Sequence, residues 1–189
     1  MAHAGQIIEN PVTGERIEFS QTAADTNGEL LAFELTLDPD GHVPGTHIHP
    51  TQEERFEVVS GTMRFRMNGR KIVAGPGETV VIPAGARHKF ANGGDEAAMI
   101  RVEVRPALRM EDLLETTVRL AEEGKTNRKG MPKPVHLALF VREFEREVRA
   151  PFAPPAVVKA VMAPLAAIGR NRGHAERYAP AFTRQPAIA

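Results

Sequence analysis

This 189-residue chain contains no cysteine. Disulfide bonds, thiolate zinc sites and a cysteine nucleophile are therefore excluded, and imidazole and carboxylate groups remain as the strong metal ligands. A chain of this length can bury a sizeable core without covalent cross-links. A metal site in this protein must accordingly be built from histidine and acidic side chains.

Long apolar runs are also missing. The longest, residues 153–169, is interrupted by prolines and Lys159 and is shorter than the about 20 residues that a membrane-spanning helix needs. Residues 1–16 show neither a secretory nor a transit signal. No basic cluster with interleaved aromatic residues suggests nucleic acid. We expect a soluble, cytoplasmic protein that binds neither membranes nor nucleic acids.

The net formal charge is zero, but the charge is unevenly distributed. Residues 1–106 hold 10 Lys and Arg against 15 Asp and Glu, and residues 107–189 hold 14 against 9, which gives −5 and +5. Attraction would help the second part dock on the first or on a second subunit, and solvated faces explain the asymmetry equally well.

Short alternating segments dominate up to residue 106. Leu31 to Leu37 and Ile100 to Val104 alternate apolar with polar residues, and Met63 to Met67 do the same before Asn68-Gly69, the strongest short hairpin signal. About eight or more such strands predict a mainly β protein with an antiparallel sandwich or barrel. Arg64 and Arg66 fall on the outer face and are expected to be solvated.

The stretch 41–61, GHVPGTHIHPTQEERFEVVSG, contains candidate metal ligands. His47 and His49 are two positions apart, so on an extended strand both imidazoles point to the same face. From Glu53 onward the odd positions are charged, whereas Glu54 alternates in phase with Phe56 and therefore points inward. A buried carboxylate needs a compensating cation, such as a metal held by the histidines.

This triplet leaves an alternative open, because Glu53 and Glu54 could both be solvated charges at a strand edge. A second stretch, 77–92 (GETVVIPAGARHKFAN), bears on the choice. His88 alternates in phase with Phe90 and is expected to face inward. The two stretches resemble the two signatures of the cupin family. The first has Gly41, His47, His49, Glu54 and Gly61 at the family spacing, and the second has Gly77, Pro83, Gly85, His88 and Asn92.

The resemblance covers roughly residues 5–106 and implies a small jelly-roll β-barrel. It implies that His47, His49, Glu54 and His88 hold one divalent first-row transition metal, whether Fe, Mn, Ni, Cu, Co or Zn, and that small molecules bind in the barrel. Six apolar side chains on inward faces are candidates to line the cavity, although plain core packing is the favoured role for any single one of them: Phe33, Phe56, Met63, Phe65, Met67 and Phe90.

The period changes after Pro106, and three helices are predicted. The first spans about 109–123, and the second begins at Pro134 with a stripe that runs from Leu137 to Val148 and leaves Glu147 on the outer face. The third, up to Gly169, is apolar and interrupted by Pro164, so it must be covered, for example at a dimer interface. We expect domains 1–106 and 107–189, a homodimer, and an arm anchored by Tyr178 and Phe182.

Three further positions have two interpretations each. The linker 125–134 is either solvated or folded near the barrel mouth, where it would supply Asn127 or Arg128 to a substrate. His42 is either a loop residue or a residue of the mouth. His136 lies outside any ligand spacing and is expected to pack or to lie on the surface.

Cupins with this ligand set include dioxygenases, isomerases, decarboxylases and lyases. The resemblance therefore implies a metal-dependent enzyme, in first place an oxygenase of a small organic compound, with Glu54 doubling as the proton-transfer group. The alternatives are a non-redox isomerase or lyase, a non-catalytic ligand-binding module, and a metal that only stiffens the barrel.

Overall fold

The protein, seen in a computed structural model that describes residues 2–178, consists of β-strands followed by helices. The strands are β1 (Ile7–Asn10), β2 (Glu15–Gln21), β3 (Leu31–Leu37), β4 (Glu53–Ser60), β5 (Met63–Met67), β6 (Arg70–Ala74), β7 (Thr79–Ile82), β8 (His88–Asn92) and β9 (Ala98–Arg105). The helices are α1 (Met110–Glu122), α2 (Pro134–Glu143) and α3 (Pro155–Asn171), with a short 3₁₀ helix at His174–Tyr178.

The strands form two sheets. The larger has the order β1-β2-β3-β9-β4-β7 and the smaller the order β6-β5-β8, and the strand pairs are antiparallel. The sheets face each other across a core in which Phe56 of β4 contacts Phe65 of β5, with ring centroids 5.2 Å apart. The predicted mainly β, antiparallel architecture with helices at the C-terminus is thus confirmed.

Alternation and turn chemistry account for the strands. β3 alternates buried and half-buried residues along its whole length, as a strand with one core-facing side requires. Asn68 and Gly69 connect β5 and β6 with positive φ angles of 49° and 86°, the geometry of the type I′ turn that matches the twist of a hairpin. The hydrophobic pattern therefore determines which face is buried, and the turn sets the register.

The helices begin where the sequence predicts, but α2 ends earlier. α2 was expected to continue along the stripe to Val148, yet it stops at Glu143, and Phe144 is its C-terminal cap. Phe144 is fully buried and the chain turns there, because Val148 N–H donates to the Phe144 carbonyl at 2.8 Å. The prediction that Glu147 lies on an outer helical face is wrong, since its side chain is only 3% exposed.

α3 is one continuous helix with Pro164 inside it. It packs against α2 so closely that a Cβ atom at Gly169 would come within 2.7 Å of Leu139. Its other side is open, because Val157, Val161 and Ile168 are exposed. The expected cover of this apolar face is not provided by residues 2–178.

The segment after α1 is folded onto the barrel loops. Thr126 and Pro132 form a β-bridge, and Gly130 is so close to Thr13 that a Cβ atom there would lie 2.4 Å from the threonine methyl group. The Asn127 side chain accepts hydrogen bonds from Lys129 N and Met131 N. The segment is thus an ordered turn rather than a solvated linker.

The sequence predicts an arm anchored by Tyr178 and Phe182 at the end of the chain, and no membrane-spanning helix. Tyr178 is buried, as expected of an anchor, whereas Phe182 and the rest of the predicted arm lie outside the described residues. Among the helices of residues 2–178, none is long and apolar enough to cross a membrane.

Candidate metal centre

Backbone pairing brings the two histidine motifs together. The loop between β3 and β4 runs beside β8, where His47 and His88 exchange hydrogen bonds: His47 N–H donates to the His88 carbonyl at 3.0 Å, and His88 N–H donates to the His47 carbonyl at 2.9 Å. Directly opposed residues of an antiparallel pair place their side chains on the same face. The ring centroids of these two histidines are accordingly 4.3 Å apart.

His49 and Glu54 complete the cluster from the same loop and from the start of β4. One ligand atom from each of His47, His49, Glu54 and His88 lies within 4.8 Å of the others. The Nε2 atom of His88 is 2.8 Å from Oε2 of Glu54, and that of His49 is 3.5 Å from the same oxygen. His49, Glu54 and His88 are buried and His47 is half-buried. The predicted inward orientations of Glu54 and His88 are thus observed.

Each imidazole is held by its other nitrogen. Nδ1 of His47 contacts the Gly45 carbonyl at 3.0 Å, Nδ1 of His88 contacts the Ala86 carbonyl at 3.1 Å, and Nδ1 of His49 contacts the Glu147 carbonyl at 2.5 Å. A carbonyl oxygen only accepts, so Nδ1 is the donor in each ring. In the neutral imidazole the proton then sits on Nδ1, and the Nε2 lone pair is available to a metal.

The atoms that face the centre of the cluster lack hydrogen bonds. Nε2 of His49, Nε2 of His88 and Oε2 of Glu54 are buried without a hydrogen-bond partner of acceptable geometry. The short contact between His88 and Glu54 is close enough for a hydrogen bond but not aligned for one. Buried polar atoms without partners are costly. A divalent cation among these atoms would satisfy all three, so the residues fit a metal site.

The pKa values of both Glu54 and His47 are lowered by their surroundings in the cluster. Burial raises the pKa of Glu54, but the adjacent histidines, His49 and His88 foremost, outweigh it and lower that pKa to about 2. Burial and repulsion from His49 and His88 lower the pKa of His47 to about 3. Near neutral pH Glu54 is therefore an anion and His47 a neutral ring. Both are the forms that bind metals.

The pKa of His88, unlike those of Glu54 and His47, is raised. Burial lowers the pKa of His88, but the close contact with the charged carboxylate of Glu54 outweighs it and raises that pKa. Below this raised pKa the ring is protonated, and metal binding would then release that proton. Metal affinity at this site is therefore expected to fall as the pH falls.

The six side chains considered for a cavity lie in or beside the core. Five of them are buried, and Met67 is partly buried. Phe56, Phe65 and Phe90 contact one another with ring centroids 5.0 to 6.0 Å apart, whereas Phe33 contacts Phe19 instead. An aromatic cluster thus fills the barrel beside the metal cluster.

The other candidate residues lie away from the centre. His42 pairs with Ala91 at the edge of the smaller sheet. His136 is buried, and its Nδ1 is 3.0 Å from the Tyr178 hydroxyl, which makes it a packing histidine. Asn127 and Arg128 are exposed, and the Asn127 side-chain oxygen is engaged by its own turn.

Two residues with a clear structural role escaped the functional interpretation. Asn92, the last residue of the second signature, is buried, and its amide donates to the carbonyls of Leu37, Asp38 and Glu96, so it ties the end of β3 to the loop between β8 and β9. Glu147, whose carbonyl meets His49, was missed because no local pattern connects residues so far apart in sequence.

Comparison with models of known protein families matches part of this chain. Residues 33–104 match the family model described as "Cupin domain", and this range includes all four residues of the cluster. No curated protein matches the chain.

Similar solved structures come from several bacteria. They include a RmlC-like cupin from Shewanella frigidimarina NCIMB 400 (19% identity, 59% of this chain and 94% of that chain covered, TM-score 0.48), a predicted oxalate decarboxylase from Thermotoga maritima (19%, 55% and 92%, TM-score 0.47), and the polyketide cyclase RemF from Streptomyces resistomycificus (23%, 57% and 84%, TM-score 0.46). Residues 33–104, which contain both signatures in full, thus form a cupin domain within this chain.

Proposed function

We propose that this cupin is a metal-dependent enzyme, an oxygenase that acts on a small organic substrate. One divalent first-row transition metal would be held by His47, His49, Glu54 and His88. One observation carries the proposal: three imidazoles, each bonded through Nδ1, direct Nε2 toward one carboxylate. Structural polar clusters satisfy their own hydrogen bonds, whereas this one leaves its central atoms for a cation.

The donor set suits iron, manganese, nickel, copper, cobalt or zinc. When bound, such a metal would supply Lewis-acid or redox chemistry to a substrate beside it. Four protein ligands would leave positions for substrate on a metal that takes more than four ligands, whereas they would close a four-coordinate structural zinc site.

The chain itself would bind and orient the substrate. Phe56, Phe65 and Phe90 close the barrel on one side, so we propose that substrate approaches from the side of half-buried His47. Met67, opposite His88 in the β5–β8 register, is partly buried and would contact the apolar part of the substrate. The other five apolar candidates would form the packed floor of the site.

Glu54 is the residue we propose for proton transfer. Its pKa, lowered to about 2 by the neighbouring imidazoles, keeps Oε2 ionised near neutral pH. Once detached from the metal, this carboxylate would accept a proton from the substrate at Oε2 and return it to the product.

Metal analysis followed by a substrate screen tests the proposal. Protein purified without chelator or affinity-tag metal should carry about one equivalent of metal, and His49→Ala should carry none. Oxygen uptake with phenolic, enol or dicarbonyl compounds would then support the oxygenase. Product formation without oxygen uptake would indicate an isomerase or lyase, and ligand binding without turnover would indicate a binding module. Absence of metal even after reconstitution would refute the metal-dependent enzyme.

The proposal includes an organisation and a location. We propose residues 1–106 as the barrel domain and 107–189 as the helical extension, a homodimer that covers the exposed Val157 and Val161 of α3, and a cytoplasmic protein. Sedimentation equilibrium of the wild type and of Val161→Glu tests the dimer, because a charge at the centre of that face should dissociate it.

A further inference from the structure

The turn that follows α2 reaches the loop that carries the candidate ligands. Ile48 and Arg149 pair through two backbone hydrogen bonds, Ile48 N to the Arg149 carbonyl at 3.1 Å and Arg149 N to the Ile48 carbonyl at 2.9 Å. Two residues earlier, the Glu147 carbonyl meets Nδ1 of His49 at 2.5 Å. The helical extension thus contacts the metal cluster through its backbone.

His49 differs in this respect from the other two histidines. His47 and His88 bond to carbonyls two residues before them in the same loop, those of Gly45 and Ala86. His49 bonds to a carbonyl 98 positions later in the sequence. Its ring orientation and its Nδ1–H tautomer therefore depend on where the extension places residue 147.

The Glu147 side chain holds this turn in place. It is 3% exposed, and its Oε1 accepts a hydrogen bond from the backbone N–H of Arg109 at 3.2 Å. Arg109 in turn binds Glu143 through Nη1 at 2.6 Å, and its guanidinium lies 5.2 Å above the ring of buried Phe144. The turn is therefore fixed on both sides, by the start of α1 and by the end of α2.

We infer that Glu147 is a positioning residue of the metal centre, which acts through its backbone carbonyl on His49 and through its carboxylate on Arg109. The inference rests on the metal-binding part of the proposed function. Partners that orient ligating histidines typically change metal affinity 10- to 100-fold when they are lost. Without the carboxylate anchor, His49 would rotate or move its proton to Nε2, the nitrogen that faces the cluster.

The test uses three full-length variants stripped of metal and titrated with Zn²⁺ and with Mn²⁺. Glu147→Ala removes the anchor and should weaken metal binding about 10- to 100-fold. Glu147→Gln keeps an acceptor for Arg109 N–H and should bind within a few-fold of wild type. Glu145→Ala is the matched control, because Glu145 lies in the same turn but its carboxylate pairs with Lys159.

A second measurement separates positioning from stability. Nitrogen-15 NMR of the histidine rings of apo wild type should show His49 protonated at Nδ1, and Glu147→Ala should show a mixture of tautomers. Urea unfolding of each apo variant measures how much its free energy of unfolding has fallen. A purely structural role would lower the unfolding midpoint and leave the affinity of the folded protein unchanged.

The failures can be told apart. Wild type that binds neither metal overturns the proposed function and this inference with it. Wild type that binds metal while Glu147→Ala binds equally tightly, or while Glu145→Ala is weakened as much, overturns only the role of Glu147. An apo wild type with the His49 proton on Nε2 overturns it without any variant.

Discussion

Glu54 Oε2 lies 2.8 Å from His88 Nε2, and neither atom makes an aligned hydrogen bond. The carboxylate comes from the first signature and the imidazole from the second, so the contact joins two segments that are separate in sequence. It also places a buried carboxylate directly against a buried imidazole.

Replacement of Glu54 by glutamine should remove metal from the protein. The amide has the shape of the carboxylate but not its charge, so we expect the metal dissociation constant to rise at least about 100-fold, the upper end of the range for partners of ligands. Glu53→Gln is the control, because Glu53 is the adjacent residue on the exposed face. Elemental analysis of both purified variants measures the difference. Equal metal content would contradict the ligand role of Glu54.

The pKa of His47 predicts how the stability of the apo protein depends on pH. Burial and the neighbouring histidines lower the pKa of His47 in the folded protein to about 3, from an ordinary value of 6.5. Between those values the unfolded chain binds one proton more, so stability is present above pH 6.5 and is lost as the pH falls toward 3. From pH 6.5 to 5.0 the expected loss from this residue is at most about 2 kcal/mol.

Urea unfolding of apo wild type and apo His47→Gln at pH 6.5 and 5.0 measures that loss. Glu54 does not contribute to the loss over this interval, because its pKa is lowered from an ordinary value of 4.5 and its titration changes stability only below that pH. The variant should show the smaller loss over this interval. An identical loss in both proteins would mean that His47 is not kept neutral by its surroundings.

Two signature glycines should differ in their tolerance of alanine. Gly61 and Gly77 have positive φ angles of 77° and 83°, but a Cβ atom at Gly61 would lie 2.7 Å from Ala98 Cα, whereas at Gly77 it would meet nothing within 4 Å. The φ angle alone costs about 1 to 2 kcal/mol. Overpacking adds about 1 to 3 kcal/mol at Gly61. The free energies of unfolding of the two alanine variants measure the difference. A larger loss in Gly77→Ala than in Gly61→Ala would contradict the close approach of Gly61 to Ala98.

Two phenylalanines offer a matched pair for the core. Phe65 is 2% exposed and contacts Phe56 and Phe90, whereas Phe152 is 81% exposed on the rim of a cavity of about 500 Å³. Phe65→Ala should cost about 3 to 5 kcal/mol of unfolding free energy, and Phe152→Ala less than about 0.5 kcal/mol. Urea unfolding measures both. A small cost at Phe65 would mean that the aromatic cluster is not packed as a core.

Local patterns predicted the strands and their inward-facing side chains because the relevant physics is local there, whereas the jelly-roll barrel and the four-residue cluster were implied by the resemblance to cupins. Alternation places Glu54 in phase with Phe56 and Glu53 out of phase, and Asn68-Gly69 can hardly form anything but a tight turn. The spacing of His47 and His49 puts both rings on one face without any knowledge of the fold. Positions within one strand or one turn need only the period of the backbone.

The C-terminal half shows where such patterns fail. Helical periodicity predicted that α2 continues through Val148 with Glu147 outside, yet the helix ends at Glu143 and Glu147 is buried. Burial of Phe144 and the backbone pairing of Arg149 with Ile48 override a propensity that amounts to a few tenths of a kcal/mol per residue. The last two apolar residues predicted for this stripe, Phe144 and Val148, do pack against the core, but they lie in a turn rather than in the helix.

The sequence by itself determined which residues of the strands face inward, where the hairpin turns, and that His47 and His49 share one face, because side-chain direction follows from backbone period. The resemblance to cupins implied that His88 joins Glu54, but tertiary structure alone decided that an aromatic cluster fills the barrel beside them and that the Glu147 carbonyl holds His49 from 98 positions away. These contacts arise between segments whose distance in sequence carries no information about their distance in space, so only the packed fold brings them together.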